Sequence, residues 1–153
     1  LIDPDNINFA NPESMTNAIA CFCKKTQQKA PVSDAEYIRC IFDSLALKYR
    51  YVLECLKKMA PFPIEKLHVI GGGSQNKLLN QATANSIGMP VVAGPSEATA
   101  IGNIMMQAKG IGVISSLHEM REVILGSVTP EVFLPQDNEL WNHVYERFVS
   151  YIE

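Results

Sequence analysis

Three consecutive glycines, Gly71, Gly72 and Gly73, form the strongest candidate for a functional site in this sequence. They follow a short apolar run (67–70) and precede a predicted helix (74–87). Without a Cβ atom, the backbone of such a turn can adopt positive φ and let a ligand approach within contact distance. The helix that follows presents unpaired N–H groups and a partial positive charge. This pattern suits the phosphate or ribose-phosphate part of a nucleotide.

The glycine turn matches neither of the two common phosphate-binding motifs. The third glycine of a GxGxxG motif is missing. Lys77 has neither the preceding glycine nor the following Ser or Thr of a P-loop. Glycine clusters also mark tight turns that bind nothing. The pattern alone therefore leaves a steric turn and a ligand site as equal alternatives.

A second glycine element, Gly94-Pro95, follows the next predicted strand (90–93). If the two strands are parallel, both turns lie at the same edge of the sheet, where open α/β sheets bind ligands. Glu97 opens the following predicted helix (96–109), and its carboxylate is an ordinary partner for the positive end of a helix. The second turn favours the ligand interpretation of the first.

The cysteines and histidines give weaker signals. None of the cysteines has a CxxC partner, so a zinc site is not expected. They are either buried thiols of a reducing compartment or include a bridge between neighbouring helices, which the sequence alone does not decide. His68 is expected to face away from the ligand end of its strand. The four cysteines are Cys21, Cys23, Cys40 and Cys55, and the other two histidines are His118 and His143.

Helix signals dominate the first sixty residues. Asn11-Pro12 predicts a helix start, with the helix running to Thr26. Ser33 and Glu36 have the spacing of a capping box, which begins a long helix ended by Pro61. Apolar residues recur along that helix at helical spacing, and this stripe is expected to be core. The stripe consists of Ile38, Ile41, Phe42, Leu45, Tyr49, Val52, Leu53 and Leu56.

Two predicted strands joined by a crossover helix must be parallel, but two strands make a small sheet. The remaining strands either lie upstream in a longer chain, which we favour, or are hidden in residues 1–11 and 126–135. Ser116 begins another predicted helix through a capping box. A last amphipathic helix (138–151) is expected to pack through Leu140, Val144, Phe148 and Tyr151.

Composition excludes several classes of protein. The 153 residues carry a net charge of −3, with 47% hydrophobic and 19% charged residues. No basic block suggests nucleic-acid binding, and no apolar run approaches the roughly 18 residues of a membrane span. No signal peptide is recognisable, which favours a cytoplasmic location. The chain begins without Met, so it is expected to be a truncated or cleaved piece.

The segments 67–81, 92–98, 102–104 and 39–47 together resemble the C-terminal domain of the FGGY family of carbohydrate kinases. The similarity runs over roughly residues 1–135. It implies an α/β fold that is part of a ribonuclease H-like, actin-like ATPase domain, rich in helices with at least two parallel strands. Residues 1–153 would then form one partial domain.

The resemblance also implies a function. The reaction would be ATP-dependent phosphorylation of a sugar with Mg²⁺, and the resemblance favours L-rhamnulose at its 1-hydroxyl. Xylulose or glycerol kinases of the family, and a non-catalytic actin-like nucleotide-binding module, are the alternatives. ATP or ADP would contact the glycine turn, and the cysteines that match Cys23 and Cys40 can form a disulfide. The nucleotide-binding residues would be Gly71, Gly72, Gly73, Gln75 and Asn76.

The same resemblance limits what this chain can do. The family's catalytic Asp, its sugar-binding residues and its first phosphate loop belong to an earlier segment. No catalytic residue or metal ligand is therefore expected in this chain, which should show no kinase turnover alone. An exposed sheet edge would favour self-association of the chain.

Overall fold

The computed structural model describes residues 1–152. It contains six α-helices and three short strands, with single 3₁₀ turns at Ile7–Phe9 and Gly72–Gln75. In chain order these elements are α1 (Met15–Lys25), α2 (Asp34–Met59), β1 (Leu67–Val69), α3 (Lys77–Ile87), β2 (Val91–Ala93), α4 (Ala98–Gly110), α5 (Leu117–Ser127), β3 (Glu131–Phe133) and α6 (Asn138–Ile152).

The sheet is mixed, with strand order β1-β2-β3. β1 and β2 are parallel, with Leu67 opposite Val91, which confirms the predicted parallel pair. β3 is antiparallel to β2, with Phe133 opposite Val91. A third strand is therefore present in residues 126–135, one of the two segments in which a hidden strand was an alternative, and none lies in residues 1–11. The sequence gives little sign of β3, because its three residues are too few to show alternation.

Helix α2 begins where the sequence predicts. The Glu36 N–H donates to Ser33 Oγ at 3.3 Å, and Glu36 Oε2 accepts from the Val32 N–H, one residue earlier than in a standard capping box. The helix ends at Met59, just before Ala60 and Pro61.

The buried face of α2 differs from the predicted one. The helix buries Ser44, Ala46, Leu47 and Leu53, of which only Leu53 belongs to the predicted stripe. Much of the expected core stripe is exposed: Ile38 is 49% exposed and Leu56 is 47% exposed. The apolar stripe was assigned to the core because it is continuous, but an apolar face is buried only where another element packs on it.

Three clusters of buried side chains join the elements. Leu47 on α2, Ala82 on α3 and Phe148 on α6 belong to the first. The second covers the sheet and includes Leu53, Ile87, Val91 and Phe133. The third seats α1 through Ile19 and Phe22. Helix α3 lies between α2 and α6 and contributes small residues to both of the first two clusters.

Two further helix predictions need correction. Helix α1 starts at Met15, with Ser14 as the N-cap that accepts from the Asn17 N–H at 3.3 Å, and not at Asn11-Pro12. Helix α6 buries Trp141, Tyr145 and Phe148, whereas Leu140 is 63% exposed. Phe148 belongs both to the predicted face of α6 and to the face that is buried. The buried face is the one that carries the large aromatic side chains Trp141 and Tyr145.

Helices α4 and α5 pack loosely. No residue of α4 is buried, and α5 buries only Met120. Glu97 is the N-cap of α4, but its side chain makes no capping hydrogen bond. None of the helices in residues 1–152 combines the length and apolar character needed to cross a membrane.

Candidate functional site at the glycine turn

Gly71 gives the turn its direction at the end of β1. Its φ of 80° and ψ of −167° lie in a region that is essentially restricted to glycine. A Cβ placed on Gly71 would meet nothing within 4 Å, so the backbone conformation and not the available space requires glycine. The Gly71 N–H donates to Pro95 O at 3.2 Å. Gly71 therefore turns the chain out of the sheet and ties it to the second glycine turn.

Gly72 and Gly73 share the open Cβ position of Gly71 but not its backbone conformation. Neither has positive φ, and neither Cβ position has an atom within 4 Å. They open the 3₁₀ turn Gly72–Gln75, and no acceptor in residues 1–152 bonds to their amides. Such unpaired N–H groups at the start of a helical turn are the donors that bind anions in proteins.

Ser74 and Asn80 fix the shape of this turn, and sequence analysis missed both roles. Ser74 Oγ donates to Gly71 O at 2.7 Å, and the Ser74 N–H donates to the same oxygen at 3.0 Å. Asn80 is 1% exposed and donates from Nδ2 to Ser74 O at 2.8 Å. The signal in the sequence is a polar Asn at an inward position of α3. Because buried amides need hydrogen-bond partners, such an Asn predicts a bond to a neighbouring backbone oxygen.

Gln75 and Asn76 do not begin one continuous helix with Ser74, as the sequence suggested. Gln75 ends the 3₁₀ turn and is exposed. Asn76 is the N-cap of α3, and its Oδ1 accepts from the Leu79 N–H at 3.0 Å. The two side chains border the glycine turn, but that of Asn76 already has a structural role.

The two glycine turns lie side by side at the carboxyl ends of the parallel strands, as predicted. The Gly94 N–H donates to Val69 O at 2.8 Å. A Cβ on Gly94 would lie 3.2 Å from Ile70 Cγ2, so glycine permits this close approach. The structure thus brings the predicted turn residues to one edge of the sheet.

The site offers backbone donors and little net charge. Lys77, directly after Asn76, forms an exposed ion pair with Glu131 at 2.9 Å. Across residues 1–152, no group of three or more His, Cys, Asp or Glu side chains is placed to hold a metal ion. His68 is exposed on β1. The chemistry available here is the binding of an anionic or polar group, since no acid, base or metal site accompanies the turn.

Cys23 and Cys40 lie together, far along the chain from the glycine turn. All four cysteines are free thiols; Cys23 is buried and Cys21 is exposed. Burial raises the pKa of the Cys23 thiol, and the neighbouring Cys40 thiol raises that pKa further. Cys40 packs against the buried cluster that contains Cys23, so the structure brings the pair together, as the bridge interpretation requires, with both thiols reduced.

Among the matches with known proteins, three bear on the family and the fold of the chain. The C-terminal domain model of the FGGY family of carbohydrate kinases matches residues 1–111. A rhamnulokinase of Bacteroides thetaiotaomicron is 53% identical over 148 residues, which cover 97% of this chain and 30% of that protein. The chain thus spans less than a third of the length of this relative.

The third match concerns the fold alone. The crystal structure of xylulose kinase from Rhodospirillum rubrum is similar with a TM-score of 0.63 at 17% sequence identity. The similar region covers 80% of this chain and 25% of that one. The predicted helix-rich α/β fold with a parallel pair of strands is confirmed.

Proposed function

The chain belongs to the FGGY family of carbohydrate kinases, and from this we propose that it is the nucleotide-binding part of an ATP-dependent sugar kinase. The nucleotide site is the glycine turn, with phosphate and ribose at Gly71, Gly72 and Gly73. Gln75 and Asn76 border the adenosine.

One observation carries this proposal. Gly72 and Gly73 have ordinary backbone conformations, open space at Cβ and unpaired amides. Nothing within residues 1–152 demands glycine at these two positions, whereas a ligand in contact with the backbone would demand it. This favours the ligand interpretation over a purely steric turn.

Phosphoryl transfer depends mainly on positioning and on stabilising charge. The residues of this chain contribute amide donors that hold and orient the nucleotide. The family resemblance places the general base for the sugar hydroxyl in an earlier segment, and the described side chains do not fit a magnesium site. In the proposed kinase the Mg²⁺, the base and the sugar site belong outside this chain, which by itself turns over no substrate.

The proposed sugar is L-rhamnulose, phosphorylated at its 1-hydroxyl in the cytoplasm. The 53% identity to a rhamnulokinase supports this choice over a xylulose or glycerol kinase. A sugar-dependent ADP-release assay on the isolated chain tests the accompanying claim of inactivity, since clear turnover would contradict it.

Titration calorimetry with ADP tests the nucleotide site. We expect Gly72→Val to weaken ADP binding at least about tenfold, because the side chain occupies the space of the ligand, while the free energy of unfolding changes by about 0.5 kcal/mol or less. Gly126→Val, on a helix remote from the turn, is the control for ADP affinity. Equal ADP affinity in the wild type and Gly72→Val would sink the proposal.

We also propose that Cys23 and Cys40 can form a disulfide, as the family resemblance implies. Their proximity in the reduced structure, where Cys40 packs against the cluster that contains Cys23, supports this proposal. After mild oxidation, mass spectrometry of the digested chain is expected to show these two peptides linked, and a Cys40→Ser variant to show none.

A further inference from the structure

A second concave site lies at the far end of α3 from the glycine turn. It is a cleft of about 260 Å³ between the C-terminal half of α2, the last turn of α3 and the first turn of α6. With a rise of about 1.5 Å per residue, the ten steps from Lys77 to Ile87 separate the two sites by about 15 Å. The volume lies below the roughly 300–1,000 Å³ typical of pockets for larger ligands, so the cleft suits a small metabolite.

The cleft is rich in hydrogen-bond donors. Lys57 makes no ion pair with any residue that the structure describes. Asn85 Oδ1 accepts from Gln81 Nε2 at 2.8 Å and from the Gln136 N–H at 2.9 Å, which leaves its Nδ2 as a free donor. Asn138 and Asn142 line the cleft from α6. The lining therefore presents an ammonium group and several amides without acceptors.

The carboxylate in this lining is already engaged. Glu54 Oε1 accepts from Arg50 Nε at 2.9 Å, and Glu54 Oε2 accepts from the Tyr145 hydroxyl at 2.9 Å. Burial, and then this hydrogen bond to Glu54, raise the pKa of Tyr145, so the phenol stays a donor. Each Glu54 oxygen thus already accepts one hydrogen bond, and no bond from Lys57 or from the asparagines of the lining to Glu54 is present among the described residues.

Arg50 provides a second cation that is largely removed from solvent. Its side chain is 18% exposed, and its guanidinium carbon lies 4.1 Å from the centre of the Tyr145 ring. Only Nε has an acceptor within residues 1–152, so both terminal nitrogens lack one. The Glu54 carboxylate balances the charge of Arg50, but the remaining N–H groups of a mostly buried guanidinium are costly to leave without acceptors. Ser86 adds a hydroxyl that is buried and without a partner in the described chain.

We propose that this cleft binds a small phosphate-bearing metabolite. Arg50 and Lys57 hold the phosphoryl oxygens together with the asparagine amides. Donors from three helices line the cleft and suit a tetrahedral oxyanion, and the one carboxylate in the lining is already hydrogen-bonded to Arg50 and Tyr145. This site is independent of nucleotide binding at the glycine turn.

The test is an NMR titration of the ¹⁵N-labelled chain with inorganic phosphate, and separately with acetate, at constant ionic strength. We expect phosphate to cause saturable shifts of the Gly88 amide and of the side-chain amides of Asn85, Asn138 and Asn142. Lys57→Gln is expected to weaken this binding at least about fivefold. Lys58→Gln, an exposed neighbour that does not line the cleft, is expected to leave it unchanged.

Three outcomes would overturn the proposal. They are no saturable shifts at these residues with phosphate, equal weakening in Lys57→Gln and Lys58→Gln, and acetate binding as tight as phosphate. The Gly72→Val variant separates the two sites, because it is expected to retain the shifts at the cleft. Loss of those shifts in Gly72→Val would assign the phosphate to the glycine turn and contradict a second site.

Discussion

At the scale of single residues, the three adjacent glycines have different reasons to be glycine. Gly71 is required by its backbone angles, whereas Gly72 and Gly73 have angles that any residue adopts. Sequence analysis identified the turn but could not make this distinction, because φ is set by tertiary contacts such as the Gly71–Pro95 hydrogen bond. The role of Ser74 was not predicted for the same reason, since it depends on a contact with Asn80, six residues later on α3.

Substitution of Gly71 by Ala tests the backbone argument. We expect Gly71→Ala to lower the free energy of unfolding by about 1–3 kcal/mol, because Ala cannot adopt these angles without strain. Gly126→Ala is the matched control, since Gly126 is helical and its Cβ position is open. That change is expected to be neutral or to stabilise by up to about 1 kcal/mol. Urea denaturation of both variants provides the measurement, and equal effects would contradict the assignment.

At the scale of elements, sequence patterns located the helices better than their ends and faces. The starts of α1 and α3 were each predicted too early, because Asn11 and Ser14 both have capping side chains and because residues 72–75 form a separate 3₁₀ turn. The apolar stripe of α2 predicts the core face, although the residues that α2 buries include Ser44 and Ala46 and half of the stripe is exposed. Periodicity shows which face is apolar, but it does not show which face has a partner.

The N-cap of α3 allows structural and binding roles to be separated at one residue. Asp caps a helix as well as Asn does, so Asn76→Asp is expected to change the free energy of unfolding by about 0.5 kcal/mol or less, while Asn76→Ala costs about 1 kcal/mol. If the nucleotide binds as proposed, the new carboxylate weakens ADP binding by charge repulsion. Urea denaturation and calorimetry measure the two effects. Unchanged ADP affinity in Asn76→Asp would show that Asn76 does not border the bound nucleotide.

At the scale of the whole molecule, β1 leaves one edge of the sheet open. Leu67 N–H and Val69 O bond towards β2 and its flanking residues, so alternation directs the backbone N–H of His68 to the open edge. Unpaired strand edges favour pairing with another chain. This edge is the basis for the expected self-association of the chain.

Sedimentation velocity tests this expectation with one substitution. Pro has no N–H and is tolerated on edge strands, so His68→Pro is expected to abolish edge pairing without breaking a β1–β2 hydrogen bond. His68→Thr keeps the N–H and is expected to associate like the wild type. A strictly monomeric wild type would disprove the idea. If His68→Pro associates as strongly as the wild type, the β1 edge is not the contact, and the exposed apolar stripe of α2 would be the alternative.

The burial of α3 has a consequence for how the molecule opens. Ala82, Thr83, Ala84, Ser86 and Ile87 are all buried, whereas α4 buries no residue at all. Amide hydrogens exchange with solvent through local opening wherever few contacts resist it, and only through global unfolding in the best-packed element. In deuterated water, α3 is therefore expected to be the last helix to exchange and α4 among the first. The glycine turn and the cleft between α2, α3 and α6 would then lie at the two ends of α3, the most slowly exchanging helix of the chain.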